Sequence, residues 1–276
     1  MVELYESVPN FSEGRDILVR GELVRAAQKA YWLDEDADPD HNRTVVTLAG
    51  PRPKLMDALL AAVACEWLKR QGHRVAYVDV DVHHGDGVEH IFAADPDVLT
   101  ISLHESGHYL FPGTGFPQDA GVGAGRGSAA NLPFMPYTWD EPWLHAFEMV
   151  VPTLLRRFQP TVLVTQDGCD SHHLDPLAHI ANTTRIWPRV GSLFHELAHE
   201  LCEGRWVALG GGGYAIYEVV PRAWTLLFAE MVEHPELAAE LDDPATVVPS
   251  PEAQERVWRA LRNDLDRLGE VHGMDF

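Results

Sequence analysis

Four runs of almost unbroken apolar residues, Arg74–Val80, Val98–Leu103, Thr161–Thr165 and Arg205–Leu209, each stop abruptly in polar or glycine-rich sequence. A strand with one face in water alternates apolar and polar residues, so unbroken runs of this length read as strands covered on both faces. Helical periodicity fills the gaps between them, near residues 86–94, 140–158 and 184–202. This alternation predicts an α/β fold: an open, mostly parallel sheet with helices on both faces. Further strand signals lie at 2–8 and 44–49. Further helix signals lie at 16–30, at 53–71, after Tyr214, and in an amphipathic stretch near 251–268. The Gly- and Pro-rich segment 105–130 is too long for a simple connector and reads as functional.

The endings of the four runs are chemically loaded: DVDVHHGDG, SLHESGH, TQDGCDSHH and GGGGY. In open α/β sheets ligands gather beyond the carboxyl ends of the strands, so the four endings point to one convergent site. Asp79, Asp81 and His83 alternate, and their side chains share a face if the strand continues through them. Carboxylate and imidazole ligands suit zinc, and one more carboxylate from a second strand completes a three-ligand open site. Asp170, after TVLVT, is placed to supply it. An open fourth position leaves room for a water molecule, whose pKa such a metal lowers to about 7. The plain alternative, a solvated strand-to-helix turn, explains one such ending but not the second acidic loop. Tyr214 follows Gly210 to Gly213, which let the backbone approach a substrate closely, and its hydroxyl is suited to hydrogen-bond an oxyanion.

Composition narrows the partners. The 276 residues carry 42 acids against 21 Lys plus Arg, a formal charge of −21. Such a surface repels phosphate backbones and argues against nucleic acid, while favouring cationic ligands such as amines or lysine-bearing peptides. Three cysteines, Cys65, Cys169 and Cys202, form no CxxC pair and no complete disulfide framework, which predicts a reducing, cytoplasmic setting. No signal peptide is visible at the start, and no apolar run approaches the roughly 20 residues that span a bilayer, so no membrane association is expected.

A rival metal motif is HELAH, His195 to His199, with Glu196 as base and Glu218 as a conceivable third ligand of a metalloprotease. Leu193, Phe194, Leu197 and Leu201 form an apolar stripe that puts both histidines on the opposite, polar side of a helix, so they read as surface residues. His104 and His108 flank the 105–130 loop, where a pocket-mouth role and a surface role are equally open.

Residues from about 60 onward resemble the histone-deacetylase family of zinc-dependent deacetylases, most closely its bacterial acetoin-utilisation-type members. The resemblance is carried by VAYVDVDVHHGDGVEHIF, LTISLHESGHYLFPGTG, LVTQDGCDSHHLDPLAH and LGGGGY. It implies an arginase/deacetylase-like fold, zinc (with iron(II) able to fill the same site) on Asp81, His83 and Asp170, and Tyr214 as the transition-state tyrosine. It further implies a structural potassium site at Asp79 and Ser102 with backbone carbonyls of Asp81, His83 and Leu103. Phe111, Leu177, Gly212 and Gly213 match the acyl-lysine tunnel. The implied substrates are acetylated lysine in a protein or a small acyl-amine.

In that family a His-His pair in a Gly-rich loop acts as general base and acid, each histidine paired with an aspartate matching Asp79 or Asp86. The only adjacent pairs here are His83–His84 and His172–His173. The expectation is therefore an N-terminally truncated member with impaired catalysis, in which His173 is the first substitute base to consider. Residues 1–58 instead resemble the start of glutamate formiminotransferase, through VPNFSEGRD and DPDHNRTVVTLAGP. That family's HPRxG segment is missing, so formimino transfer is not expected. The predicted organisation is a formiminotransferase-like segment, 1–58, followed by a truncated deacetylase-like domain, 59–276.

Overall fold

The computed structural model describes residues 5–7, 10–11, 31–38, 43–50, 52–238 and 240–276. The first four strands are β1 (Tyr5–Ser7), β2 (Asn10–Phe11), β3 (Tyr31–Asp38) and β4 (Arg43–Gly50), and the other three all pair antiparallel with β4. β1 and β4 fall where the sequence carries strand signals. The helix expected at 16–30 lies outside the described residues. β3 has no such signal, because four acids in YWLDEDAD hide its alternation.

Beyond α1 (Arg52–Arg70) the chain builds the expected parallel sheet. Its strands are β5 (Val75–Asp79), β6 (Val98–Glu105), β7 (Ala129–Phe134), β8 (Val162–Gln166) and β9 (Trp206–Leu209), in the order β7-β6-β5-β8-β9. All four pairings are parallel. The connecting helices are α2 (Asp86–Phe92), α3 (Asp140–Phe158) and α4 (Ile186–Cys202), followed by α5 (Val220–Met231) and α6 (Pro251–His272).

Alternation along β5 shows why its sequence is apolar throughout. Val75 and Tyr77 pack with Ala61 and Cys65 of α1 and Val88 and Phe92 of α2. Ala76 and Val78 face the other way, into a core shared with Trp143 and Phe147 of α3 and Phe194 of α4. Both faces are dry, so no polar residue is tolerated until the strand ends. Trp143 and Phe147 stack with centroids 5.3 Å apart and are fully buried; truncating either to Ala is expected to cost about 3–5 kcal/mol.

β7 carries no clear strand signal. Its Asn131 and Pro133 look like breakers, yet β7 is an edge strand of this sheet, where proline is tolerated because one row of N–H groups needs no strand partner. Helix α6 is delimited as its sequence suggests. Ser250 caps it by accepting the Ala253 N–H at 3.4 Å, Pro251 opens it, and Gly273 closes it in the left-handed region at φ 63°.

Candidate metal centre

β5 stops at Asp79, so Asp81 and His83 are not placed by strand alternation as the sequence suggests. The carboxylates themselves shape the segment. Asp79 Oδ1 accepts the Asp81 N–H at 3.1 Å, and Asp81 Oδ1 accepts the His83 N–H at 2.8 Å. Each aspartate thus captures the backbone two residues on, a turn geometry this residue type favours. Asp170, past the end of β8, accepts the Val82 N–H through Oδ1 at 2.8 Å, which ties the two loops together.

These bonds assemble a tight donor set. His83 Nδ1 lies 3.1 Å from Asp81 Oδ1 and 3.0 Å from Asp170 Oδ2, and one donor atom from each residue falls within 4.8 Å of the others. Asp81 and Asp170 are buried, at 4% and 0% exposure. Burial, then the charge of Asp81, pushes the Asp170 carboxyl up to about 7. Burial alone would lower His83, but its hydrogen bonds to Asp170 and Asp81 outweigh it and lift the imidazole to about 10. Two adjacent buried carboxylates demand positive charge between them. A divalent cation would supply it, and a donor set of one imidazole nitrogen and two carboxylate oxygens suits zinc or iron(II).

Surrounding groups fix the outer oxygen of Asp81, which takes Gln166 Nε2 at 3.0 Å and the Gly212 N–H at 2.7 Å. A Cβ on Gly212 would collide with Asp170 Oδ2, and one on Gly168 with Asp81 Oδ2. The glycines are therefore required by close approach to the carboxylates. Gln166 lies within the TQDGCDSHH ending but is not singled out there; as the last residue of β8 it is level with Asp79 across the sheet, which brings its amide to Asp81.

Tyr214, Phe111, Asp79, Asp81, His83 and Asp86 line one cleft, with Pro112 and Gln166 among the other lining residues. Asp86 stands in the first turn of α2. Asp79 receives the Tyr77 hydroxyl at 2.5 Å. Phe111 and Leu177 are about half exposed, on separate loops, and the Tyr214 side chain is 39% exposed. Gly213 packs against Cys169 and Val220. Ser102 lies opposite Asp79 in the β5–β6 register, and Leu103 beside it is buried in the core.

His104 corrects the expectation of a surface or mouth residue: it is 1% exposed. Its Nε2 lies 2.8 Å from the Gly115 carbonyl, which only accepts, so Nε2 carries the proton and Nδ1 accepts from Ser102 Oγ at 2.9 Å. Burial, then the neighbouring His84, pushes its pKa down to about 3, which keeps it neutral. The alternation that places Ser102 and His104 on one face of β6 is readable in the sequence; the burial of His104 is not.

A second cluster, His172, His173 and Asp243, also brings its donor atoms within 4.8 Å of one another. It is already satisfied. Leu174 N–H donates to His172 Nδ1 at 3.2 Å, so Nε2 carries the proton that goes to Asp243 Oδ2 at 2.8 Å. Asp243 also accepts from Thr184 N at 2.9 Å and from Arg222 Nη2 at 2.8 Å. A guanidinium occupies the electrostatic place of a metal. His173 stacks on His172 with centroids 4.6 Å apart.

His195 and His199 stack on the outer face of α4 with centroids 4.6 Å apart, and His195 Nε2 pairs with Glu233 Oε1 at 3.3 Å. Among the described residues they form no three-residue ligand set with Glu218. Leu193, Phe194 and Leu197 are buried as the stripe requires.

An open parallel sheet with this donor set at its carboxyl edge defines an α/β protein with a candidate metal site. A family model described as "Histone deacetylase domain" matches residues 57–231, and the chain belongs to the histone deacetylase family. A second model, "Formiminotransferase domain, N-terminal subdomain", matches residues 4–85, overlapping the first. The acetoin utilization protein AcuC of Bacillus subtilis (strain 168) is 45% identical over 172 residues, covering 62% of this chain and 44% of that protein. AcuC of Staphylococcus aureus (strain COL) is 37% identical over 175 residues, covering 63% and 45%. The chain thus spans less than half the length of these relatives. The crystal structure of the HDA15 HD domain matches with a TM-score of 0.58 at 28% identity, over 76% of this chain and 56% of that one. No helix of the described residues is long and apolar enough to cross a membrane.

Proposed function

We propose that this chain binds zinc through Asp81, His83 and Asp170 and acts on acyl-amides, an acetylated lysine in a protein or a small acetylated amine. The observation that carries the reading is the convergence of His83 Nδ1 on two buried carboxylates, at 3.1 and 3.0 Å, in a chain of this family. Zinc, or iron(II) in its place, supplies Lewis acidity toward the substrate carbonyl. Tyr214, lining the same cleft, donates its hydroxyl to the oxygen on which charge develops. Phe111 and Leu177, with Gly212 and Gly213, wall the acyl channel. Asp86 supports the cleft from α2. Asp79, Ser102 and the Leu103 carbonyl hold a structural potassium ion. The proposed division is a formiminotransferase-like segment, 1–58, and a deacetylase-like domain, 59–276. Three buried free thiols suit a cytoplasmic setting.

A second reading, a metal- and acyl-ligand-binding chain of low turnover, is favoured by the two His-His pairs. His83 is committed to the donor set and His172 to Asp243. Loss of a general base typically lowers rates by about 10²–10⁴-fold. The test is zinc-dependent turnover of a fluorogenic acetyl-lysine substrate. We expect activity at least about a hundredfold below a full-length relative, lost on Tyr214→Phe. A full family rate would require another base, with His173→Ala the first variant to make. Turnover unchanged by Tyr214→Phe would contradict the role given to Tyr214.

A further inference from the structure

The loop that carries Tyr214 is built of residues that restrain it little, since four glycines precede it and no regular element begins until α5 at Val220. Its hold on the protein is therefore a matter of a few hydrogen bonds. Gly212 is fixed twice: its N–H goes to Asp81 Oδ2 at 2.7 Å, and its carbonyl accepts the Cys169 N–H at 2.6 Å. Two residues later the Tyr214 N–H donates to Asp175 Oδ2 at 2.8 Å. Asp175 is 7% exposed and 39 residues away in sequence. Its other oxygen, Oδ1, accepts the Leu177 N–H at 3.0 Å, and its own N–H donates to the His172 carbonyl at 2.8 Å.

We infer that Asp175 is the positioning residue for Tyr214: one buried carboxylate fixes the backbone of the oxyanion-binding tyrosine. The inference rests on the reading of Tyr214 given above. An ionised acceptor makes each N–H bond stronger than a neutral one would, enough for two such bonds to hold a glycine-rich loop in one conformation. The bond to Leu177 closes a local Asx turn, which any aspartate two residues upstream can do. The bond to Tyr214 crosses between loops and is the specific one. Both carboxylate bonds go to backbone N–H groups and neither to Asp81, His83 or Asp170, so loss of the Asp175 side chain should leave the donor set intact.

A mutant cycle separates positioning from a general structural role. The probe is a fluorophore-linked alkyl hydroxamate bound to the zinc-loaded chain and read by fluorescence polarisation, with zinc content and melting temperature measured in parallel. Tyr214→Phe and Asp175→Ala should each weaken the probe about tenfold, the value of roughly one hydrogen bond, with zinc content unchanged. The double variant should be no more than about twofold weaker than Tyr214→Phe, because Asp175 acts through the tyrosine. Losses that multiply to about a hundredfold overturn the inference. If Asp175→Ala does not fold, Asp175→Asn replaces it in the same cycle, since an amide offers one acceptor oxygen for the two N–H groups. Zinc loss in Asp175→Asn overturns the inference as well. If Tyr214→Phe binds the probe unchanged, the function given to Tyr214 fails first, and the inference falls with it.

Discussion

Asp81, His83 and Asp170 form one cluster and His172, His173 and Asp243 another, and each brings histidine and aspartate donors within 4.8 Å. They differ in what neutralises the carboxylates. Asp243 has Arg222 and the Thr184 backbone, and both nitrogens of His172 are spent. Among the described residues, Asp81 and Asp170 have only each other, an imidazole, one amide side chain and backbone N–H groups. Proximity of ligand-type residues therefore does not make a metal site. The deciding quantities are the unmet positive charge and the lone pairs left over.

The largest expected effect comes from crowding the first triad without touching its ligands. Gly212→Ala puts a methyl group against Asp170 Oδ2 and within 2.7 Å of Asp81 Oδ2. It should lower zinc affinity at least about a hundredfold, the upper range for changes around metal ligands. Competition with a fluorescent zinc chelator measures it. Affinity within a few-fold of the starting chain would mean the carboxylates are not held by backbone approach.

Next in size is the second triad, where an arginine and not a metal neutralises the carboxylate. Asp243→Ala should cost about 3 kcal/mol, because it strands Arg222 and His172 in a buried network. Burial opposes ionisation of Asp243, but the Thr184 N–H, His172 and Arg222 outweigh it and hold the carboxyl well below the usual range. Its folded pKa is depressed, so its contribution is present above the unfolded carboxylate pKa near 4 and is lost as pH falls further. Denaturant melts of the two chains should differ by the full amount at pH 7, and the difference should begin to shrink below about pH 4 and close only as pH falls through the depressed folded pKa. A constant difference down to acid pH would contradict the ionic network.

The smallest effect concerns a carboxyl with no ion pair among the described residues. Asp167 is 1% exposed; Oδ2 accepts from Thr165 at 2.8 Å and Oδ1 has no partner among the described residues. Burial pushes it up to about 7 against the opposing Thr165 bond. A raised carboxylate pKa acts in the opposite sense: stability declines from about pH 4, where the unfolded chain ionises, to about pH 7, where the folded chain does. Asp167→Asn should remove part of that decline and raise the melting temperature more at pH 8 than at pH 5. An equal shift at both pH values would mean Asp167 does not hold its proton.

The parallel sheet is legible in the sequence because strands dry on both faces leave unbroken apolar runs, as Arg74–Val80 does. Asp81, His83 and Asp170 are legible because polar residues crowd where such runs end. Neither β7, whose Pro133 is acceptable only at an edge, nor the end of β5 at Asp79 can be read in the same way. His104 and Asp175 are hidden for a different reason. Their partners, the Gly115 carbonyl and the Tyr214 N–H, are backbone groups of other loops, and no spacing in a sequence encodes those meetings.

Zinc stoichiometry by elemental analysis tests the central claim most directly. The chain should carry one zinc, with loss of it in Asp81→Ala, His83→Ala and Asp170→Ala. It should be retained in Asp243→Ala and in the double variant His195→Ala, His199→Ala. Zinc kept by Asp170→Ala but lost from Asp243→Ala or from the HELAH double variant would contradict the assignment and move the metal to the other cluster.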